Sequence, residues 1–364
     1  MKKVLLGMSG GVDSTVAAYL LKDQGYEVHG AYMQLWRDTE DPERDQRDLE
    51  KVKQAADFLE IPLQILDLKD IFFEEIVQEF IKQYQRGYTP NPCVICNQKF
   101  KFDLMEKATQ GEFDYLATGH YARVKFVDGE YQLLEASFPD KDQTYVLFHL
   151  SQKQLARVLF PLGEYDKSEV RKIAEKIGFE TSSLSDSQDI CFISQDKNYR
   201  DLLERFNAMG EPGDFIDPEG NVLGKHLGIG HYTIGQRKHL GMSFGKKVFV
   251  SNIDAEKNQV TVSAGDQIYR TDYLVKEVSF NGKEMPDFPI KVEVANRYQA
   301  KRLSAIINPF YTDKKNSIND AELLDENSVK MVEVHCLEPQ RAITPGQAAV
   351  FYDQERCIGG GIIA

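Results

Sequence analysis

Two sets of residues in this chain have types and spacings that could do chemistry. One is the run Val4-Leu5-Leu6-Gly7-Met8-Ser9-Gly10-Gly11-Val12-Asp13-Ser14. The other is a group of cysteines set in polar runs. In the first, the apolar head reads as a buried strand, Ser9-Gly10-Gly11 as a turn, and Thr15-Val16-Ala17-Ala18-Tyr19-Leu20-Leu21 as the start of a helix. Strand, glycine turn and helix together point backbone N–H groups and a helix N-terminus at an anion. Glycines let the chain pass close to phosphate oxygens without a Cβ in the way. Ser9 and Ser14 can add hydroxyl donors, and Asp13 can hold Mg²⁺ beside the phosphates. The loop matches neither G-x-x-x-x-G-K-[ST] nor G-x-G-x-x-G, which sets aside the two most familiar phosphate loops.

The cysteine runs are Pro90-Asn91-Pro92-Cys93-Val94-Ile95-Cys96-Asn97 and Asp186-Ser187-Gln188-Asp189-Ile190-Cys191-Phe192-Ile193. Cys93 and Cys96 read as a zinc half-site or as loop thiols. Cys191, between Ile190 and Phe192, reads as a buried apolar cysteine. A four-cysteine zinc site would need a second C-x-x-C, which the chain lacks. Five cysteines, an odd number in a chain of 364 residues, do not make a disulfide scaffold. A thiol beside basic groups is expected to have a lowered pKa and a larger thiolate fraction.

The elements that must position these groups alternate in the first half of the chain. A helix runs to about Gln24 and is stopped by Gly25, Val28 to Trp36 reads as a strand, and residues 37–47 read as a loop. Leu49, Val52, Ala55, Ala56 and Leu59 recur at helical spacing, Leu63–Leu68 is a third strand, and Phe72, Phe73, Ile76, Val77, Phe80 and Ile81 line a further helix. This alternation predicts a parallel sheet with both faces covered, and ligands then sit beyond the carboxyl ends of its strands. Residues 87–98 read as a loop, 114–117 as a strand, and Val124–Leu134 as a hairpin turning at Asp128-Gly129. Asp166-Lys167-Ser168-Glu169 reads as a capping box. From about Gly210 the chain turns every ten residues or so around short β-rich runs, an all-β pattern. The polar run 311–328 reads as a long hairpin loop. The boundaries expected are 1–207 for an α/β domain, 208–275 for a small central β-rich domain and 276–364 for a β-barrel domain.

The formal net charge is −13, which by itself argues against nucleic acid as a partner. Its distribution softens this: residues 80–102 and 221–247 carry no acid, while Lys82, Arg86, Lys99, Lys101, Lys225, Arg237, Lys238, Lys246 and Lys247 are basic. No stretch approaches the apolar length of a membrane span. Residues 1–8 pass directly into a strand, so no secretory signal is expected and cytoplasmic residence is.

The run Ser9-Gly10-Gly11-Val12-Asp13-Ser14 resembles the PP-loop of ATP pyrophosphatases, which cleave ATP between its α and β phosphates to adenylate an oxygen. Over nearly its whole length the chain also resembles the tRNA-specific 2-thiouridylases, which thiolate uridine 34 of certain tRNAs. That likeness rests on Gly7–Ser14, the Met33 strand, Thr89–Asn97, Ala117–Arg123, Lys141–Gln143, the Cys191 run, Gly230–Arg237, Arg297-Tyr298, Pro345–Gln347 and Gly359–Gly361. The resemblance implies an α/β PP-loop domain with a parallel sheet, a small central tRNA-contacting domain and a C-terminal β-barrel. It implies that Gly7, Met8, Ser9, Gly10, Gly11, Val12, Asp13, Ser14, Met33 and Gly119 hold ATP with Mg²⁺. Asn91, Pro92 and Cys93 would meet the flipped target base. His120, Lys141, Asp142, Gln143, Arg297, Tyr298 and Gln347 would contact the tRNA. Cys191 would carry a persulfide delivered by a cysteine desulfurase or sulfur-relay protein, and Cys96 would free the transferred sulfur by forming a Cys96–Cys191 disulfide. The family pattern has Asp where this chain has Cys93. That departure opens two readings: Cys93 is a second redox thiol near Cys96, or Cys93, Cys96 and Cys191 ligate an Fe–S cluster. The rival readings are a PP-loop adenylating ligase acting on a small molecule, and a binding module that keeps a dead loop.

Overall fold

In the computed structural model the described residues are 1–38, 43–108, 111–179, 190–194, 196–284, 286–310 and 329–364. They form two compact units, the first made of Met1–Glu79, Pro92–Leu202 and Glu355–Cys357, the second of Phe80–Asn91, Leu203–Gln354 and Ile358–Ala364.

The first unit is a parallel sheet covered by helices. Strand β1 (Lys3–Gly7) lies between β2 (Glu27–Gln34) and β4 (Tyr115–Ala117); β3 (Leu63–Asp67) flanks β2, and the short strand Val158–Leu159 flanks β4. The three residues Val4, Leu5 and Leu6 are fully buried, because a central parallel strand faces helices on both sides. Helix α1 (Val12–Asp23) buries Val16, Ala17, Ala18, Leu20 and Leu21 on the sheet, and α2 (Arg44–Phe58) adds Val52, Ala55 and Ala56 to the same core. The sheet is thus as the alternation predicts, and the loop after β1 opens at its carboxyl end.

The expected hairpin is present, with both Asp128 and Gly129 at positive φ, as a two-residue turn of this kind requires. The expected loop at 87–98 is only partly one. A helical turn starts at Pro92, runs through Pro92–Ile95 and continues as a π-helix over Cys96–Leu104. Proline is well placed at a first helical position, which the surrounding Asn-Pro-Cys composition concealed. The expected hairpin loop at 311–328 lies outside the described residues.

The second unit is mainly β, with most of the helix Gln78–Gln85 also belonging to it. One sheet orders Phe249–Asp254, Gln259–Ser263, Gly213–Ile216 and Val222–His226 around a core that includes Phe215, Tyr232, Val250 and Val260. The other sheet runs Tyr269–Phe280, Met331–Arg341, Leu303–Pro309, Ile290–Ala295, Ala348–Asp353 and Arg356–Ile363, and then closes on itself. Closure is the pairing of Val275 with Ile363 and Phe280 with Gly359. A Cβ on Gly359 would lie 2.2 Å from the Ser279 carbonyl oxygen, and its φ is +149°, so the seam needs glycine there. The Gly359–Gly361 run thus serves closure of the barrel.

Candidate active site

The glycine turn leads straight into α1. Gly11 is its N-cap and offers no side chain, so the first-turn N–H groups have no side-chain cap and remain available to an anion. Two hydroxyls fold over this end. Ser14 Oγ donates to the Gly11 carbonyl at 3.1 Å, accepts from the Ser9 N–H at 3.2 Å, and lies 3.3 Å from Ser9 Oγ. Gly10 has φ +73°, and a Cβ there would lie 2.9 Å from backbone atoms of Lys51 and Val52 in α2. This glycine therefore lets the loop seat against a helix, a constraint additional to the phosphate access expected from sequence. Gly119, just beyond β4, packs on the backbone of Asp13 and Ser14. Met33 is the next-to-last residue of β2, at the same end of the sheet.

Asp13, in the first turn of α1, is engaged by two groups that sequence reading did not single out. Lys167 Nζ lies 2.8 Å from each carboxylate oxygen, and the Tyr121 hydroxyl donates to one of them at 2.9 Å. Lys167 is the first residue of the helix Lys167–Lys176, whose start is fixed by the expected capping box. Asp166 accepts from the Glu169 N–H at 2.7 Å, and Glu169 accepts from the Asp166 N–H at 2.8 Å. The box was legible in sequence, and the lysine it aims at Asp13 was not.

The thiols form the second half of the site. Cys96 is buried, Cys93 and Cys191 touch solvent, and none is in a disulfide. All three lie within electrostatic reach of one another and of Lys101. Basic neighbours were expected to lower their pKa values; the structure corrects this. Burial pushes Cys96 up to about 12 and Cys93 up to about 11, and it raises Cys191 as well, outweighing Lys101 and, for Cys191, also Arg37 and Arg44. Even the thiols that reach solvent are hemmed in by enough protein for desolvation to win. Among the described residues no set of three Cys, His, Asp or Glu side chains is spaced to hold a metal ion.

Cys191 is placed by its neighbours. The Asp38 N–H donates to the Phe192 carbonyl at 2.7 Å, Ser194 Oγ donates to the Asp38 carbonyl at 2.6 Å, and Arg44 donates to Ser194 Oγ at 3.2 Å. Phe192, only 1% exposed, meets Phe72 with ring centres 5.9 Å apart, and Phe72 meets Phe100 at 5.2 Å. An aromatic chain thus ties the Cys191 segment to the helix that carries Cys96.

The residues expected at RNA have varied placements. His120 is buried with both ring nitrogens engaged, by Thr118 at 2.7 Å and Lys101 at 3.2 Å. Asp142 accepts from the Ala136 N–H and the Thr144 hydroxyl, and Gln143 accepts from the Tyr121 N–H, so both brace local backbone. Lys141 ends a short 3-10 turn, and Pro92 is a buried helix start. In the second unit Asn91 is half-buried, Arg297 donates to the Ala342 carbonyl and to Thr344 Oγ1, Gln347 donates to the Thr89 carbonyl, and Tyr298 is 41% exposed. Two surface depressions, at Tyr19–Lys22–Phe58 and at Arg86–Tyr88–Asn252, contain none of the loop or thiol residues.

A parallel sheet with a glycine turn after β1 that leads into an uncapped helix N-terminus, followed by two β modules, defines a class. The family models that match are a tRNA methyl transferase HUP domain over residues 2–195, a tRNA methyl transferase PRC-barrel domain over 200–264 and an aminomethyltransferase beta-barrel domain over 270–363. Full-length relatives narrow it. The chain is 42% identical over 371 residues to a tRNA-specific 2-thiouridylase MnmA of Clostridium perfringens, covering 100% of this chain and 98% of that protein. It is 44% identical over 370 residues to the protein of that name from Clostridium kluyveri, covering 100% and 99%. The chain belongs to the tRNA-specific 2-thiouridylase family. Among solved structures, U34-tRNA thiolase NcsA from Methanococcus maripaludis with its [4Fe-4S] cluster aligns at a TM-score of 0.35 and 21% identity, over 56% of this chain and 67% of that one. A likeness this loose carries no inference about the site.

Proposed function

We propose that this protein is an ATP-dependent tRNA-uridine 2-sulfurtransferase acting on the wobble uridine, with Cys191 as persulfide carrier and Cys96 as its partner. One observation carries this reading: two thiols far apart in sequence converge beside a lysine in the same unit as an open, hydroxyl-rimmed helix N-terminus. The α1 N-terminus with Ser9 and Ser14 suits the phosphates of ATP. Mg²⁺ takes one or two carboxylates plus substrate phosphates. Asp13 fits as that carboxylate once Lys167 turns to the phosphates, and the ion would then neutralise phosphate charge.

The uracil O2 is a poor leaving group, and AMP transferred to it makes it a good one. The deprotonated outer sulfur of Cys191–S–S⁻ attacks C2, the C2–O bond breaks, and AMP leaves with the oxygen and the electron pair. Cys96 thiolate then attacks Cys191 Sγ. The S–S bond to the transferred sulfur breaks, its electron pair passes to that sulfur as the C2=S bond forms, and a Cys96–Cys191 disulfide remains. A dithiol or thiol reductant must restore the pair each turnover. The sulfur donor is of the cysteine-desulfurase or sulfur-relay class, which delivers sulfur at the persulfide level.

The test is nucleoside mass spectrometry of tRNA incubated with protein, ATP, Mg²⁺ and a persulfide donor. Product should be 2-thiouridine, and Asp13→Ala should cut it by about two orders of magnitude while tRNA binding is kept. No 2-thiouridine from the wild-type protein would overturn the reading. Pyrophosphate release that needs no tRNA would point instead to a small-molecule adenylating ligase.

A further inference from the structure

Lys101 is the cation around which the sulfur site is built, and its surroundings are unusual. It is half-buried, and its ammonium bonds to His120 Nε2 at 3.2 Å. Among the described residues no carboxylate pairs with it, whereas its helix neighbour Lys99 is matched by Glu75 at 2.8 Å. An ammonium has donors only, so Nε2 must be the acceptor. The ring proton then sits on Nδ1 and is donated to Thr118 Oγ1 at 2.7 Å. Burial drives His120 well below the ordinary histidine range, and Lys101 and His149 push it the same way. The ring is therefore neutral and does not add a second positive charge. It holds the ammonium in place without satisfying it electrostatically.

The backbone brings this ammonium to the thiols. Residues three and four apart share a face of an α-helix, and residues five apart do not. Cys96 and Lys101 are five apart, and the stretch Cys96–Leu104 is a π-helix, whose i→i+5 bonding widens the turn. The wider turn draws the two side chains toward one side. Among the described residues, the other charged or titratable groups facing this cluster are Cys93, Cys191, Arg37, Arg44 and His149, and none is an acid other than a thiol.

We propose that Lys101, aimed by the Thr118–His120 pair, is the anion-binding group of the sulfur site, and that the anion it receives is the deprotonated sulfur handled by Cys191 and Cys96. This deepens the sulfurtransferase reading and rests on it for the identity of the anion. A cation with no carboxylate partner among the described residues, at a site that must carry negative sulfur in a water-poor setting, supplies the stabilisation that the thiols' burial removes. His120 is a positioning residue in this scheme, since it touches the ammonium and not the sulfur.

The test compares Lys101→Met, Lys101→Arg and His120→Gln with the wild type. Alkylation of Cys191 is timed with iodoacetate, an anion, and with iodoacetamide, its neutral counterpart. Both react with the thiolate, so the ratio of their rates reports attraction of an anion and is independent of the thiolate fraction. That ratio should fall about tenfold in Lys101→Met and be kept in Lys101→Arg. In single turnovers with persulfide-loaded protein, Lys101→Met should slow 2-thiouridine formation about a hundredfold with tRNA affinity and tRNA-dependent pyrophosphate release unchanged. His120→Gln should give a smaller loss. An unchanged alkylation ratio in folded Lys101→Met overturns the anion site. Loss of tRNA affinity would assign the ammonium to an RNA phosphate, and loss of pyrophosphate release would assign it to ATP; either overturns the sulfur assignment. If the wild type makes no 2-thiouridine, the sulfurtransferase reading fails, while the alkylation ratio still decides whether Lys101 binds an anion.

Discussion

Single residues decide how the phosphate loop works. Lys167 Nζ lies 2.8 Å from both Asp13 carboxylate oxygens, so under the proposed function ATP with Mg²⁺ must exchange partners with it. Lys167→Ala should raise the KM for ATP about tenfold and leave tRNA affinity alone, measured by pyrophosphate release at varied ATP; an unchanged KM would remove Lys167 from the site. Gly10→Ala places a Cβ 2.9 Å from α2 backbone at a left-handed φ, and should cost about 3 kcal/mol of stability by denaturant unfolding. His149 offers a pH signature. Burial pushes it down to about 3 from an ordinary 6.5, and both ring nitrogens are buried without a partner among the described residues. The unfolded chain takes up the proton first, so stability is full above about pH 6.5 and is lost as pH falls toward 3. Replacing it by Leu should shift the acid-unfolding midpoint to lower pH, and an equal midpoint would refute the assignment.

At the level of elements, the β1–turn–α1 unit was legible and the surroundings of the thiols only partly. The β1–turn–α1 unit and the Asp166–Glu169 capping box follow from local rules, because each is written within a few adjacent residues. Lys101 was not legible as a site residue, since five-residue spacing carries no helical signal and a π-turn leaves none in composition. The Cys191 clip was hidden for another reason: Asp38, Phe72 and Phe100 are remote from it in sequence, and only tertiary packing joins them. The clip can be tested apart from catalysis. Phe192→Ala should slow oxidant-driven Cys96–Cys191 disulfide formation about tenfold, with Phe192→Leu intermediate, because it loosens a geometry on which the two sulfurs depend. Equal rates of mass-detected disulfide would show that Phe192 only fills space.

For the molecule as a whole, a net charge of −13 and a tRNA substrate are reconciled by segregation of charge along the chain. The mainly β second unit contains the acid-free run 221–247 with its five lysines and arginines. If that run meets phosphate, the logarithm of tRNA affinity falls linearly with the logarithm of salt, and Arg237→Gln with Lys238→Gln should reduce the slope by about two. An unchanged slope in filter binding would place the contact elsewhere. Among the described residues no helix is long and apolar enough to cross a membrane. The class of both units was readable from hydrophobic period alone: β-α alternation in the first, turns every ten residues or so in the second. The closing of the last strand on Tyr269–Phe280 was not, because pairing between distant strands has no local signature.

The π-helix at Cys96–Leu104 also has the character of a phase marker. A π-turn holds one residue more than the α-turn it replaces, so everything after it is rotated relative to everything before it. Removing a single residue between Cys96 and Lys101, Gln98 for example, would restore an α-helical phase. Cys96 and Lys101 would then be four apart and would still share a face of that α-helix. Such a deletion should therefore keep the two side chains together, whereas winding the stretch as an α-helix without removing a residue should part them.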